Sequence, residues 1–410
     1  MPFSENDVLA LDAVDPLARF RDAFDLPEGV IYLDGNSLGP LTKAAKRRVT
    51  ETLEAEWGRG LIRSWNTAGW IDLPAKVGAK IAPLIGAAPG TVTAVDSTSI
   101  NLFKVLAVAL AKQPERRVIL TEAGNFPTDV YIAGGLADLL DRGHEVRQVP
   151  AARLAEAMDD SVAVVMLTEV NYRIGARLDM RTLTAKAHAA GALVIWDLAH
   201  SAGAFPVDLA GACADFAVGC GYKYLNGGPG APAFVYVAPK HPPGLKQPLH
   251  GWLGHQAPFD FAAGYQPADS IEAMRTGTPP ILSMAALDAA LEVFADVDLA
   301  AVKAKADRLF DIFTSILATR CPKLELLTPT EQNARGTQVS LRFPDAYPVM
   351  QALIARGVIG DFRQPDILRF GLTPLYVRHI DVWRAADILA RIMESRAWDR
   401  PEFKVRAKVV

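Results

Sequence analysis

The chain has 410 residues, half of them hydrophobic and 22% charged, which is the profile of a soluble globular protein with material for two domains. With 43 basic and 46 acidic residues the formal charge is −3 and no basic block stands out, so nucleic-acid and anionic-membrane binding are not indicated. The acidic start MPFSENDVLALDAVD lacks the basic and apolar regions of a signal peptide, and no apolar run reaches the ~18–20 residues that span a bilayer. Three cysteines are too few and odd in number for a disulfide framework. Cys213 and Cys220 lie among small apolar residues and read as reduced core residues, while Cys321 reads as structural. A cytoplasmic enzyme fits these bounds.

In chain order, a helix is expected over Asp15–Phe24, then a short strand Ile31–Asp34 running into the turn-rich Gly35-Asn36-Ser37-Leu38-Gly39-Pro40. Lys43–Trp57 reads as a helix with Val49, Leu53 and Trp57 at four-residue spacing, and Arg59–Leu73 as a loop. Strands and helices then alternate as in a parallel sheet covered by helices. The strands are Thr91–Val95, Arg117–Leu120, Glu145–Val149, Val162–Leu167, Leu193–Trp196, Phe216–Gly219 and Ala233–Val237; the helices are Asn101–Ala111, Asp129–Leu140 and Thr182–Ala190. After Pro279 the texture changes to long helices, Met284–Asp296 and Ala300–Leu317. Three short strands (Leu324–Leu327, Gln338–Leu341, Ile367–Phe370) and two helices (Val349–Arg356, Ile380–Met393) follow, and the basic tail after Arg400 reads as a surface segment. The expected class is α/β: a large domain over 46–280 with a mostly parallel seven-stranded sheet, and a smaller α+β domain over 281–410 with which residues 1–45 pack.

Chemistry concentrates between two strands, in VIWDLAHSAGAF and GYKYLNGGPG. Asp197 ends one strand, His200 follows it, and Lys223 stands in a small-residue stretch before the next. A carboxylate and an amine in that setting suit pyridoxal phosphate, which needs an acid at its ring nitrogen and an amine for a Schiff base. Taken singly, an Asp at a strand end is a turn or cap residue and a Lys before a Gly-rich loop is surface charge. Asp96-Ser97-Thr98-Ser99 at the start of a helix suits a phosphate, or a simple N-cap. In Asn125-Phe126-Pro127-Thr128-Asp129, Phe126 is placed to stack on a flat ring or merely to pack. Arg369, between apolar neighbours on a strand, is either an edge salt bridge or a clamp for a carboxylate. No HExxH or Cys/His cluster supports a metal, and no G-x-S-x-G elbow is present.

The stretches Tyr32–Gly39, Asp96–Asn101, Asn125–Asp129, Asp197–Gly203, Gly221–Gly230 and Gly277-Thr278-Pro279-Pro280 together resemble the kynureninases, pyridoxal-phosphate enzymes of fold type I in the aminotransferase class V group. The resemblance covers nearly the whole chain in collinear order. It implies hydrolysis of L-kynurenine to anthranilate and L-alanine. Lys223 would carry the cofactor and shuttle protons, Asp197 would pair with its ring nitrogen beside His200, and Phe126 would stack on the ring. Thr98, Ser99, Asp129, Thr168 and Tyr222 would line the cofactor pocket, with Tyr222 either a phosphate contact or an acid/base. Trp252 and Thr278 would reach the cofactor's phosphate side across a homodimer interface. Arg369 would bind the substrate α-carboxylate, with Asn36 and Ser37 near the substrate, and Thr278 stands where some relatives carry Asn. Rival readings are a class V aminotransferase, a cysteine desulfurase, or a non-catalytic protein of the same fold.

Overall fold

The structure is a computed structural model and describes residues 3–241 and 245–407. The chain divides into two compact units, one of Ala44–Asn171 and Leu178–Glu292, the other of Met1–Lys43, Tyr172–Arg177 and Val293–Val410. The boundary near the end therefore falls at 292 rather than 280, and the helix Ile281–Ala290 belongs to the larger unit.

The larger unit holds a seven-stranded sheet in the order Val92–Ala94, Phe234–Val237, Phe216–Gly219, Leu193–Asp197, Val162–Thr168, Val118–Glu122, Glu145–Val149. Only Phe234–Val237 runs against its neighbours; the others pair in parallel or share their direction. Strands buried on both faces need continuous apolar runs, and Val162–Thr168 is buried at every position. The helix Thr98–Lys112 lays Leu102, Val105, Leu106 and Ala109, one helical face, against Ile119, Val164, Met166, Ile195 and Phe216. Burying each large side chain of that cluster contributes about 1.5–3 kcal/mol, so this face fixes which side of the helix meets the sheet.

Three expectations for this unit change. The helix Lys43–Glu51 widens over Thr52–Gly60 into turns bonded five residues back. Thr52 Oγ1 donates to the Arg48 carbonyl (2.8 Å), and Glu56 is held by Arg48 (2.8 Å) and by Trp70 Nε1 (2.8 Å), which draws the backbone out of α geometry. Leu53 and Trp57 consequently stand 41% and 56% exposed instead of facing a core. The stretch Arg59–Leu73, expected to be loop, contains a tight turn Leu61–Arg63 and a helical turn Ser64–Thr67, and leads into a helix, Leu73–Ile81, started by Pro74 and burying Leu73, Val77 and Ile81. Cys213 is exposed, in a turn where its φ is +56°, whereas Cys220 and Cys321 are buried.

The smaller unit has a four-stranded antiparallel sheet, Asp361–Arg363, Ile367–Gly371, Gln338–Arg342, Glu325–Leu326, and a parallel pair, Ile31–Tyr32 with Val358–Ile359. The helices Leu299–Arg320 and His379–Ser395 pack on each other, and Glu5–Ala13 packs on the latter. The first helix thus lies earlier than expected. Ser4 and Asp7 cap its start reciprocally, and after Pro16 the chain makes only a short tight helix, Ala18–Ala23, with the Asp15 carboxylate accepting from Leu17 N–H (2.9 Å). The basic tail is tied down as well as exposed: Tyr347 Oη donates to the Val405 carbonyl and accepts from Ala407 N–H, both at 2.9 Å.

Candidate active site

In the larger unit the site grows from strand ends. Thr168 and Asp197 are the last residues of neighbouring parallel strands and are paired in register; Tyr222 and Lys223 follow the end of the next strand, Phe216–Gly219. The carboxyl ends of a parallel sheet are where an α/β fold opens a crevice for a ligand.

Lys223 Nζ lies 3.1 Å from His200 Nε2 and 5.7 Å from the Tyr222 ring centre. Asp197 is buried and accepts from Ala199 N–H at 2.7 Å. Burial pushes the Asp197 carboxyl above its ordinary value, outweighing the pull of Lys223, the Ala199 amide and a hydrogen bond from Asp129. Asp129 is pushed well above the usual carboxylate range, chiefly by burial and next by the Asp197 charge. Both carboxyls are pushed up, Asp129 the more strongly because the Asp197 charge adds to its burial, so Asp129 is the one that holds a proton more firmly. Thr168 Oγ1 lies 3.2 Å from Asp129 and donates to Asn125 Oδ1 at 2.6 Å. Asn125 also accepts from Phe126 N–H (2.7 Å) and donates to Thr121 Oγ1 (3.1 Å), leaving the Phe126 ring 39% exposed.

At the start of Thr98–Lys112 the capping role falls to Ser97, whose hydroxyl accepts from Ile100 N–H (3.4 Å). Thr98 and Ser99 occupy the first turn, half-buried, with the unsatisfied N–H groups of a helix N-terminus. An amine, a buried pair of carboxyls, a partly exposed aromatic ring and a hydroxyl-bearing helix start form a donor set that fits pyridoxal phosphate. Trp252 and Thr278 are exposed. Trp252 stacks on Phe261 (6.2 Å) and meets Phe259 edge-on (5.6 Å) in a surface aromatic patch.

The remaining candidates belong to the smaller unit. Arg369 is on an inner strand, not an edge, and is fully enclosed. Its guanidinium donates to the Tyr172 carbonyl (2.7 Å) and Ser37 Oγ (2.7 Å) and is paired closely with Asp361. Its Nε is buried without a partner. Ser37 Oγ reaches Asp361 at 2.9 Å, and Asn36 Nδ2 donates to Gln338 at 3.5 Å. Gly35 permits this: a Cβ there would stand 1.9 Å from the Tyr376 hydroxyl. Burial, and then Asp361, pushes the Asp34 carboxyl up to about 7, against Ser37, Arg369 and Arg363.

A family model described as the kynureninase C-terminal domain matches residues 302–389. A protein named kynureninase from Burkholderia pseudomallei is 54% identical over 99% of both chains, and one from Pseudomonas fluorescens is 52% identical over the same share. The chain belongs to the kynureninase family. Among solved structures, the cysteine desulfurase CsdA of Escherichia coli aligns with a TM-score of 0.76 at 21% identity, covering 93% of this chain and 99% of its own. A C-DES mutant with glycine covalently linked to its PLP cofactor aligns at 0.74 and 18% identity, covering 88% and 97%. These likenesses establish the fold, type I of the pyridoxal-phosphate enzymes. Within this kynureninase-family chain the structure joins Asp129, Thr168, Asp197, His200 and Lys223 in one cluster, and groups Asn36, Ser37 and Arg369 in another. Asn125, Asp34 and Asp361 escaped sequence reasoning. Asn125 sat in a noted motif, but only the fold brings its amide to Thr168.

Proposed function

We propose that this protein is a kynureninase that uses pyridoxal phosphate to hydrolyse the Cβ–Cγ bond of L-kynurenine, giving anthranilate and L-alanine. The observation that carries the reading is the Lys223 amine gathered with the buried Asp197–Asp129 pair, in a chain over half identical to kynureninases along its length. When bound, the cofactor supplies an electron sink for the carbons next to the substrate's amine.

The chain's own groups do the rest. Lys223 anchors the cofactor and afterwards moves the α-proton, with His200 at 3.1 Å to orient the amine. Asp197 keeps a proton on the ring nitrogen, and Asp129, protonated itself, holds Asp197 in place. Thr98, Ser99 and the N–H groups of their helix turn bind the phosphate, and Phe126 lies against the ring. Thr168 supports Asp129 from the next strand end. Arg369 takes the substrate α-carboxylate, with Asn36 and Ser37 beside it in its own unit. Tyr222 is our candidate acid/base: water adds to the γ-carbonyl, the Cβ–Cγ pair stays on Cβ and is protonated, and Cγ leaves as the carboxyl of anthranilate.

The exposed Trp252–Phe259–Phe261 patch supports a homodimer in which Trp252 and Thr278 serve the partner's cofactor. No helix among the described residues is long and apolar enough to cross a membrane, and we assign the enzyme to the cytoplasm. The test is anthranilate release from L-kynurenine, followed by fluorescence, with 3-hydroxykynurenine run in parallel. Release by the cofactor-loaded protein that vanishes in Lys223→Ala is expected. No release from either substrate, with cofactor bound, would sink the reading.

A further inference from the structure

Lys104 is fully buried in the helix Thr98–Lys112 and takes no part in the chemistry above. Helical side chains lean toward the N-terminus, and its ammonium reaches back past the first turn to Asp96 Oδ2 at 2.7 Å. It also donates to the Met274 carbonyl at 2.6 Å. Thr276 Oγ1 donates to the same Asp96 carboxylate (3.2 Å), and the Thr276 carbonyl accepts from Leu253 N–H (3.2 Å). Gly251 lies so close that a Cβ would stand 2.2 Å from that carbonyl. One buried cation therefore ties three pieces together: the turn before the helix, the segment 274–276 leading to Thr278, and the loop bearing Trp252.

The charge arrangement needs a reason. Asp96, at a φ of +46°, places a carboxylate two residues before Thr98, where an anion is to bind. A carboxylate there repels phosphate, and a buried ion pair adds little stability over an apolar side chain of the same volume. Burial pulls the Lys104 ammonium down and Asp96 opposes this, so the pair acts as a unit.

We infer that Lys104 is a positioning residue for the cofactor phosphate: its ammonium cancels the Asp96 carboxylate at the mouth of the helix and fixes the segment that carries Thr278. The inference rests on the reading that the phosphate sits at Thr98 and Ser99. Its test is a titration of the cofactor-free protein with pyridoxal phosphate and, separately, with pyridoxal, which lacks the phosphate. Absorbance of the lysine-bound ring reports binding, and thermal unfolding of the unliganded protein reports structure. Lys104→Met is expected to weaken pyridoxal phosphate about tenfold to a hundredfold and to leave pyridoxal within about twofold. Adding Asp96→Asn to Lys104→Met should restore most of the affinity by removing the repelling charge. Equal weakening of both ligands, or unchanged binding of pyridoxal phosphate, overturns the inference. Where Lys104→Met fails to fold, Asp96→Asn alone decides: affinity at or above that of the parent chain is expected, and a tenfold loss overturns it. A parent chain that takes neither ligand on Lys223, checked by borohydride trapping, removes the underlying reading and the inference with it.

Discussion

Asp34 and Asp129 are single residues whose protonation the fold controls, and each carries a prediction. Asp34 is pushed from 3.8 up to about 7, so the native state holds a proton that the unfolded chain gives up. Its contribution to stability is whole below about pH 4 and is lost as pH rises through about 7. Asp34→Asn should remove that loss, gaining roughly 1–3 kcal/mol on the parent chain between about pH 5 and about pH 8 in urea unfolding. Parallel pH profiles would count against it. For Asp129, an amide imitates the protonated carboxyl. Asp129→Asn should keep cofactor affinity close to that of the parent, whereas Asp129→Ala strands Asp197 and costs about 1–3 kcal/mol, read by cofactor titration. Similar losses in both would mean that Asp129 works as an anion. Lys223 and Asp197 were legible in the sequence because their types, order and strand-end positions coincide. The Asp34–Asp361 and Lys104–Asp96 partnerships were not, since nothing local marks which distant charge a buried group will meet.

Among elements, the helix His379–Ser395 shows how a terminus can be finished from elsewhere in the chain. The Asp12 carboxylate accepts from His379 N–H (2.8 Å), Ile380 N–H (3.0 Å) and the His379 ring nitrogen Nδ1 (2.8 Å). Burial works against this carboxylate, but those bonds win and hold it below its ordinary value. The stabilisation is therefore present above that ordinary value and lost on acidification through the lowered one. Asp12→Ala should cost about 1–2 kcal/mol at neutral pH, as loss of an N-cap does, in urea unfolding. A loss under a few tenths would show that water replaces it. The helix itself was readable from its apolar spacing; its cap was not, because it comes from the opposite end of the chain. Lys43–Glu51 was readable too, but its widening past Thr52 depends on Arg48 and Trp70 meeting Glu56, contacts that periodicity does not encode.

For the whole molecule, the proposed homodimer makes a prediction that no monomer can satisfy. Lys223→Ala lacks the anchoring amine, and Trp252→Ala lacks the residue that serves the partner. Each alone should be nearly inactive, yet subunits of the two exchanged in one tube should regain anthranilate release, because one of the two sites in the mixed pair is complete. Failure to regain activity, with mixed pairs verified by native mass spectrometry, would place Trp252 at its own subunit's site or at none. Alternating strands and helices made the seven-stranded sheet legible, while the order of its strands emerged only from the fold. The composition of the smaller unit stayed hidden for a simpler reason. Tyr172–Arg177 looks like an ordinary connection, yet its Tyr172 carbonyl accepts from both Arg369 and Gln338 (3.2 Å). That unit is assembled from the first 43 residues, a six-residue insert and the last stretch from Val293. On the ribosome the larger unit has all its residues once Glu292 has emerged. The segment that carries Glu5–Ala13 must wait for His379–Ser395, made long after it, before it can pack.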